Sequence, residues 1–286
     1  MSKNRKKIIT LNGKPKPSIT LARLVARSPM WENQIKFQHA FFELNQKDYT
    51  VYPDDLDCLH WWGNTVASSR NKAVALALER GSDYLMFIDD DMTCNDMSGD
   101  IIKLIDMDVD IASAVATTRG APYWPNLVKV FKFGETKTTY DAYVRKILDW
   151  PTDKPFQVDM VGSAFMLIKK KVIETLSKPI FYMPPLYTEK NIMGEDNTFC
   201  YNAKMSGFEV WIDPSIDMRH IGTWGYGIGE GSKCFMDFKS QLLSDAKVQF
   251  SEFDKFNIIN NDSTYNLVPE VQEEMKKANG VKRVYV

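Results

Sequence analysis

Short apolar runs alternate with amphipathic segments over the first 120 residues of the chain. The runs predict buried strands, and the segments between them predict helices because apolar residues recur there at helical spacing. Residues 65–81 form the clearest predicted helix, with recurring Ala and Leu and with Gly81 as the C-terminal stop. The predicted strands are 18–26, 83–89 and 109–118, and the predicted helices are 31–45, 65–81 and 98–108. This order predicts an α/β sheet that helices cover on both faces.

The pattern changes in the second half of the chain. Residues 127–134 and 138–144 predict paired strands, and a loop is expected at 151–155. Residues 156–176 predict a strand followed by a helix, and 207–214 a short strand. The expected organisation is a basic flexible tail at 1–17, one α/β domain at 18–230 and a mostly helical C-terminal extension at 231–286.

Composition places the chain among globular proteins. Of its 286 residues, 44% are hydrophobic and 12% aromatic, which is enough for a sizeable core. The net charge of −1 does not predict a polyanionic partner. Charge is uneven, however, because residues 1–17 contain six Lys and Arg and no acidic residue. That tail is either a solvated terminus or a contact for nucleic acid.

The four cysteines are scattered and form no CxxC pair. They are Cys58, Cys94, Cys200 and Cys234. Their spacing argues against a disulfide framework or a zinc knuckle and fits a reducing compartment. The sequence shows no signal-peptide apolar region and no run of 18 apolar residues. We therefore expect a soluble cytoplasmic protein without membrane insertion.

The stretch YLMFIDDDMT, residues 84–93, ends an apolar run in three consecutive carboxylates. In an extended strand Asp89 and Asp91 share one face and Asp90 takes the other. Two carboxylates ~6.5 Å apart repel by about 2.5 kcal/mol at an effective dielectric near 20. Solvent or a bound cation can offset that repulsion. The alternatives are therefore a cation site, a solvated strand end or a helix cap.

A second acidic pair and a histidine lie downstream. Glu195 and Asp196 precede an amphipathic helix, where acids also serve as ordinary complements of the helix dipole. His220 follows a short strand and adjoins the glycine-rich stretch 222–231. That stretch has neither the context of a dinucleotide-binding fingerprint nor a phosphate-loop motif. The stretch contains Trp224, and its composition fits either of two structures: a lid that closes over a ligand, or a flexible surface loop.

Four motifs in this order resemble the nucleotide-sugar glycosyltransferases of the GT-A fold, close to the inverting family-two type. They are SSRNKAVALAL, YLMFIDDDM, VGSAFMLIKKKVI and GEDNTFCYNAKMSGFEVWIDPSIDMRHIG. The resemblance covers roughly residues 18–230 and implies that this range is the catalytic domain. It implies a Rossmann-like mixed sheet flanked by helices, with the DXD motif of the family at the end of a strand.

The resemblance also implies residue roles. Asp91 and His220 would bind a divalent metal, Mn²⁺ or Mg²⁺. Asp196 would be the catalytic base, with Glu195 as the alternative. The positions implied to bind the donor are Ala26, Arg27, Arg70, Asp89, Asp90, Gly162, Ser163 and Trp224. The first strand departs from the family, because it continues ARLVARSP instead of the usual proline-and-acid start.

The chemistry of sugar transfer agrees with these roles. A nucleoside diphosphate leaving group develops negative charge, which a hard cation held by carboxylates neutralises. Mn²⁺ tolerates mixed carboxylate and imidazole ligands. A carboxylate across the sugar can accept the proton of the acceptor, which gives displacement with inversion. The expected donor is a UDP-sugar, and the expected acceptor is a glycan, a protein or a modified DNA base such as some phage enzymes glycosylate.

Two other functions compete with this interpretation. The run LMFIDDDMT also satisfies the D-x-D-x-T pattern of haloacid-dehalogenase-type phosphatases, with Asp89 as the nucleophile. That family usually begins with this motif, whereas 88 residues precede it here. The other alternative is a non-catalytic module that binds a nucleotide sugar. Trp61, Trp62 and Trp124 are candidates for stacking on a sugar or a flipped base, although buried tryptophans are more common.

Overall fold

The computed structural model describes residues 16–26, 31–57, 65–118, 125–132, 143–147, 150–183, 194–221 and 225–227. Its helices are α1 Trp31–Gln46, α2 Val66–Arg80, α3 Met97–Asp106, α4 Lys170–Thr175 and α5 Glu195–Met205. Its first strands are β1 Ser18–Val25, β2 Thr50–Asp57, β3 Tyr84–Asp89, β4 Met92–Thr93, β5 Ile111–Ala114, β6 Leu127–Lys132 and β7 Tyr143–Lys146. The later strands are β8 Phe156–Val158, β9 Met160–Val161, β10 Phe165–Lys169, β11 Val210–Asp213, β12 Arg219–Ile221 and β13 Gly225–Gly227.

Seven strands form the central sheet in the order β2-β1-β3-β10-β5-β11-β8. The pairs β1–β2, β1–β3 and β5–β11 are parallel, whereas β10 runs antiparallel to both β3 and β5. Residues of α1 and α3 pack on one face of the sheet, and residues of α2, α4 and α5 pack on the other. A mixed sheet flanked by helices confirms the predicted fold class and is consistent with a Rossmann-like GT-A fold.

Alternation along β3 explains why both faces are covered. Leu85 and Phe87 join the core under α2, while Met86 and Ile88 join the core under α1 and α3. All four side chains are fully buried. Successive strand residues point to opposite faces, so a strand that is apolar throughout must be buried on both sides. The parallel strands β1 and β3 end at the same edge of the sheet, and the carboxylates follow β3 there.

Helix α2 begins and ends at recognisable caps. The Thr65 side chain accepts a hydrogen bond from the Ser68 backbone N–H at 3.2 Å. Gly81 has a φ of 69°, a left-handed conformation in which glycine carries no Cβ penalty. The predicted stop at Gly81 is therefore confirmed, and β3 begins three residues later.

Strand β2 is not among the strands that the sequence predicts. Its sequence, TVYPDDLD, contains a proline and three acids and lacks a continuous apolar run. β2 lies at the edge of the sheet, where a proline is tolerated because one side of the strand needs no ladder hydrogen bonds. The predicted pair of strands after residue 127 is confirmed by β6 and β7, although β7 begins later than expected.

Several expectations fall outside the described residues. They are nearly all of the 1–17 tail, the 231–286 extension, and the stretch 222–231 apart from β13. Cys94 and Cys200 are buried free thiols, and Cys58 and Cys234 lie outside the described ranges. None of the helices described is long and apolar enough to cross a bilayer.

Candidate functional site

The carboxylate run forms a turn at the end of β3. The strand ends at Asp89, so Asp90 and Asp91 do not continue the alternation expected from an extended strand. The Asp90 side chain is 4% exposed and accepts a hydrogen bond from the Ala26 backbone N–H at 3.0 Å. Its own N–H donates to the Leu24 carbonyl at 3.0 Å. Asp90 and Ala26, both expected to bind the donor, therefore bind each other and join the ends of β1 and β3.

Asp91 meets His220 because two short strands bring them together. Strand β4 follows the turn and pairs with β12 so that His220 lies opposite Met92. The Ile221 N–H donates to the Asp91 carbonyl at 2.6 Å. In the side chains, His220 Nε2 lies 3.2 Å from Asp91 Oδ2. The structure thus brings together the two residues that the sequence predicted as metal ligands.

The orientation of the His220 ring favours metal binding at Nε2. Its Nδ1 lies 2.8 Å from the Thr117 carbonyl oxygen. A carbonyl oxygen only accepts, so Nδ1 must carry the proton that it donates, and Nε2 can present a lone pair toward Asp91. The described residues contain no cluster of three or more His, Cys, Asp or Glu side chains suited to a metal ion. Asp91 and His220 nevertheless fit Mn²⁺ chemically, with further ligands coming from water or a bound phosphate.

Arg70 joins the two acidic clusters. Its side chain is only 4% exposed, and it donates to Asp89 Oδ1 at 3.3 Å and to Glu195 Oε1 at 3.5 Å. A third donor reaches the Ser163 carbonyl at 3.2 Å. Burial alone lowers the pKa of Arg70, but the carboxylates of Asp89 and Glu195 raise it above its ordinary value. A permanent buried cation therefore holds the end of β3 beside the start of α5. The expected contact of Arg70 with a nucleotide stays a prediction.

Asp89 has an unusually basic carboxylate. Burial, together with the charges of Asp91 and Asp90, raises its pKa to about 6 against the opposing effect of Arg70. Arg70 also stacks over the Phe87 ring, with 5.1 Å from the guanidinium carbon to the ring centroid. The apolar groups beside Asp89 thus limit the solvation of its carboxylate, and the Arg70 guanidinium keeps that carboxylate oriented.

Asp196 lies in the first turn of α5, where the helix dipole and backbone N–H groups favour an ionised carboxylate. Burial and the adjacent Glu195 outweigh that effect and raise the pKa of Asp196 to about 6. Arg70 and the Asn197 N–H, which donates to Asp196 Oδ1 at 2.7 Å, only partly oppose the rise. A carboxylate with a pKa close to neutrality is better suited to proton transfer than an ordinary one.

Gly162 and Ser163 reach the site from the strand β9. A Cβ on Gly162 would lie 2.6 Å from Asn126 Nδ2, so close packing accounts for this glycine. The Ser163 hydroxyl is buried and has no hydrogen-bond partner in the described part of the chain. A buried hydroxyl without a partner is unfavourable, and a ligand hydroxyl or a water would satisfy it. The position of Ser163 at a donor pocket stays a prediction.

Arg27 and Trp224, together with Trp61, Trp62 and Trp124, lie outside the described residues.

Two buried polar residues near the carboxylate turn were missed by the sequence reading. Arg23 is 1% exposed and forms a two-point ion pair with Asp55, at 2.9 and 2.7 Å. Asn33 is fully buried and donates to backbone carbonyls of the turn. A single arginine inside the apolar strand SITLARLV was a signal of a buried ion pair, whereas Asn33 belongs to no motif.

Comparison with known proteins gives distant similarities. No family model matches the chain. It is 28% identical over 177 residues to procollagen galactosyltransferase 2 of Homo sapiens, a match covering 60% of this chain and 26% of that protein. The chain therefore spans about a quarter of that relative.

Three solved structures show weak similarity. Protein A197 from STIV has a TM-score of 0.43 and 18% identity, covering 71% of this chain and 85% of that one. A glycosyltransferase involved in glycosylation of the major capsid of PBCV-1 has a TM-score of 0.30 and 13% identity, covering 55% and 63%. Mannose-1-phosphate geranyltransferase from Thermus thermophilus has a TM-score of 0.33 and 8% identity, covering 70% and 75%. The fold class rests on the sheet order described above.

Proposed function

We propose that this protein is a metal-dependent glycosyltransferase of the inverting type, moving a hexose from a nucleoside-diphosphate sugar to a hydroxyl acceptor. The observation that carries the proposal is the assembly around Arg70. One buried guanidinium joins Asp89 to Glu195, while Asp91 and His220 converge at the same turn. The distant similarity to a protein named as a galactosyltransferase supports the same class.

Asp91 and His220 would hold the metal, Mn²⁺ or Mg²⁺. When bound, the ion supplies positive charge to the diphosphate leaving group. The hydrogen bond from His220 Nδ1 to Thr117 fixes the ring so that Nε2 faces Asp91. The Asp91 side chain is 14% exposed and the His220 side chain is 20% exposed, so both proposed ligands are accessible to a bound diphosphate. Asp89, at the start of the same turn, is proposed to accept hydrogen bonds from a ribose or base.

Asp196 would act as the base. The acceptor oxygen bonds to the anomeric carbon of the sugar as the bond from that carbon to the diphosphate oxygen breaks. The acceptor proton passes to the Asp196 carboxylate, whose pKa of about 6 leaves it mostly ionised at neutral pH. Glu195 is the alternative base, but its Oε1 is already engaged by Arg70, 3.5 Å from the Arg70 Nε.

The donor pocket would lie beside Gly162 and Ser163, and a UDP-sugar is the first donor to test. The acceptor hydroxyl is proposed to belong to a protein or glycan, because the named relative glycosylates procollagen by its description. Because the 1–17 tail is basic, a modified nucleic acid base is the second acceptor to test.

The phosphatase alternative requires Asp89 to act as an exposed nucleophile. Asp89 instead contacts Arg70, and the later acidic pair begins a helix. These contacts favour the transferase.

One experiment separates the candidate functions. The protein is incubated with UDP-, GDP- and TDP-sugars, with and without Mn²⁺, and release of the nucleoside diphosphate is measured beside hydrolysis of p-nitrophenyl phosphate. The transferase predicts metal-dependent release from one class of donor, at a rate that Asp91→Ala abolishes. Phosphate release without any turnover of nucleotide sugars would instead identify the phosphatase. Nucleotide-sugar binding without turnover, in the presence of candidate acceptors, would identify the non-catalytic module.

A further inference from the structure

The Asn33 side chain binds both ends of the carboxylate turn. It projects from α1, is fully buried, and its Nδ2 donates to the Asp89 carbonyl at 3.0 Å and to the Met92 carbonyl at 2.6 Å. Asp89 and Met92 are the first and last residues of the four-residue turn that carries Asp90 and Asp91. One amide group therefore bridges the two ends of that turn.

The orientation of this amide is fixed by a second buried residue. Asn33 Oδ1 faces Arg23 Nη1 at 3.4 Å. Rotating the amide by half a turn would place its oxygen against two carbonyl oxygens and its NH₂ against a guanidinium, so only one orientation is satisfied. Arg23 is itself held by Asp55 and by the Phe37 ring, whose centroid lies 4.5 Å from the guanidinium carbon. The donor group of Asn33 is thus held rigidly against the turn.

The turn carries Asp91, the carboxylate that is proposed to bind the metal. Asp90 ties it to β1, and the Asp91 carbonyl ties it to β12 beside His220. Neither of these contacts fixes the carbonyls of Asp89 and Met92, which Asn33 binds. We propose that Asn33 is a positioning residue, which sets the approach of Asp91 to His220 through the backbone of the turn and so sets the affinity for the metal. This inference rests on the proposed metal site.

Loss of the Asn33 amide should act on metal affinity more than on the fold as a whole. Two buried carbonyls would lose their donor, and the turn could then relax to satisfy them. Residues that orient metal ligands without touching the metal typically change metal affinity by about 10-fold to 100-fold when replaced. We expect a weakening of Mn²⁺ binding in that range for Asn33→Ala.

Asn71 provides a matched control within the chain. It lies on α2, and its Nδ2 likewise donates to two carbonyls, those of Ala67 and Phe181, at 2.9 and 2.6 Å. Its Oδ1 accepts from two backbone N–H groups of residues 180 and 181. Asn71→Ala therefore removes a comparable set of hydrogen bonds, none of which goes to residues 89–92.

The test compares Mn²⁺ affinity with stability in these variants. Mn²⁺ affinity is measured by electron paramagnetic resonance, with UDP present, well below the unfolding temperature of each variant. Hydrogen exchange at residues 89–93 is measured in the metal-free protein. Both Ala variants should lower the unfolding temperature, but only Asn33→Ala should weaken Mn²⁺ binding and speed exchange in the turn. If Asn33→Ala does not fold, Asn33→Ser, in which a water can replace part of the amide, is compared with Asn71→Ser.

The outcomes distinguish this inference from the proposed function. Absence of Mn²⁺ binding in the unmodified protein would overturn the metal site itself, and this inference with it. Normal binding in the unmodified protein and equal affinity in the Asn33 variants would overturn only the role of Asn33. An equal loss of affinity in the Asn71 variants would show that general destabilisation, and not the turn, controls metal binding.

Discussion

Replacing Asp196 by Asn should stabilise the folded protein at neutral pH while it impairs turnover. Burial and Glu195 raise the pKa of Asp196 from its ordinary value of 3.8 to about 6. At about 1.4 kcal/mol per pK unit, this rise corresponds to about 3 kcal/mol of unfavourable ionisation. Because the residue is partly exposed, solvent screening reduces the expected gain to about 1–2 kcal/mol.

The gain should depend on pH in a defined direction. A carboxyl whose pKa is raised by folding binds its proton more tightly in the folded state, so its contribution to stability is fully present below pH 3.8 and declines until about pH 6. Asn cannot ionise and avoids that decline. Asp196→Asn should therefore exceed the unmodified protein in free energy of unfolding at pH 7.5, and the difference should shrink toward pH 4.5. Urea unfolding at several pH values measures this.

Turnover of the same variant should fall by about 10²–10⁴-fold, the usual contribution of a positioned base. Donor and Mn²⁺ binding should stay near normal, because Asp196 is not proposed as a ligand of either. In the unmodified protein, turnover should decline as pH falls below about 6, where Asp196 takes up its proton.

Glu195→Gln is the matched control, since it changes the neighbouring acid in the same way. It removes one of the two carboxylates that pair with the buried Arg70 guanidinium and should destabilise the protein. The free energy of unfolding of Asp196→Asn could instead be lower than that of the unmodified protein at pH 7.5, or differ from it by the same amount at every pH. Either result would show that burial does not raise the pKa of Asp196. If Asp196→Asn keeps full turnover and Glu195→Gln loses it, Glu195 is the base. Retention of the donor's anomeric configuration, read by NMR, would exclude single displacement altogether.

Three further predictions concern the metal, the donor pocket and the proposed lid. Asp91→Ala should abolish Mn²⁺-dependent binding of nucleoside diphosphate, and His220→Ala should weaken it less because water can replace one imidazole; unchanged calorimetric affinity for Asp91→Ala would refute the ligand assignment. Gly162→Ala should cost about 1–3 kcal/mol of stability by overpacking, because the new methyl would lie 2.6 Å from Asn126; an unchanged urea midpoint would contradict this. Protease cleavage within 222–231 should slow when Mn²⁺ and nucleotide bind, whereas equal cleavage rates would indicate an ordinary loop.

Local patterns predicted the elements that carry their own signals. The helix α2 has apolar spacing and a glycine stop, and β3 is a continuous apolar run that ends at Asp89. Strand β2 lacks such a signal, because its register with β1 is what makes TVYPDDLD extended. Edge strands depend on their neighbour more than on their own composition.

The sequence predicted residues that the structure brings together at the carboxylate turn, but it did not predict their electrostatics. The motifs identified Asp91 and His220, which the structure places 3.2 Å apart. They also suggested that a helix start would favour ionised Asp196, whereas burial beside Glu195 outweighs the dipole. Asn33 contacts carbonyls about 60 residues away, and no local pattern contains that information.

The position of β10 in the middle of the sheet has a consequence for synthesis of the chain. β3 is paired with β1 on one side as soon as both are made, but its other neighbour, Phe165–Lys169, follows some 80 residues later. Until β10 is made, that edge of β3 is unpaired, and the Met86 and Phe87 backbone is exposed to solvent and to other nascent chains. β5 also lacks a pairing partner on that side until β10 is made, because β10 lies between β3 and β5 in the sheet. If translation stops after β5 and before β10, the nascent sheet lacks its central strand. Chaperone binding should be most needed over that interval.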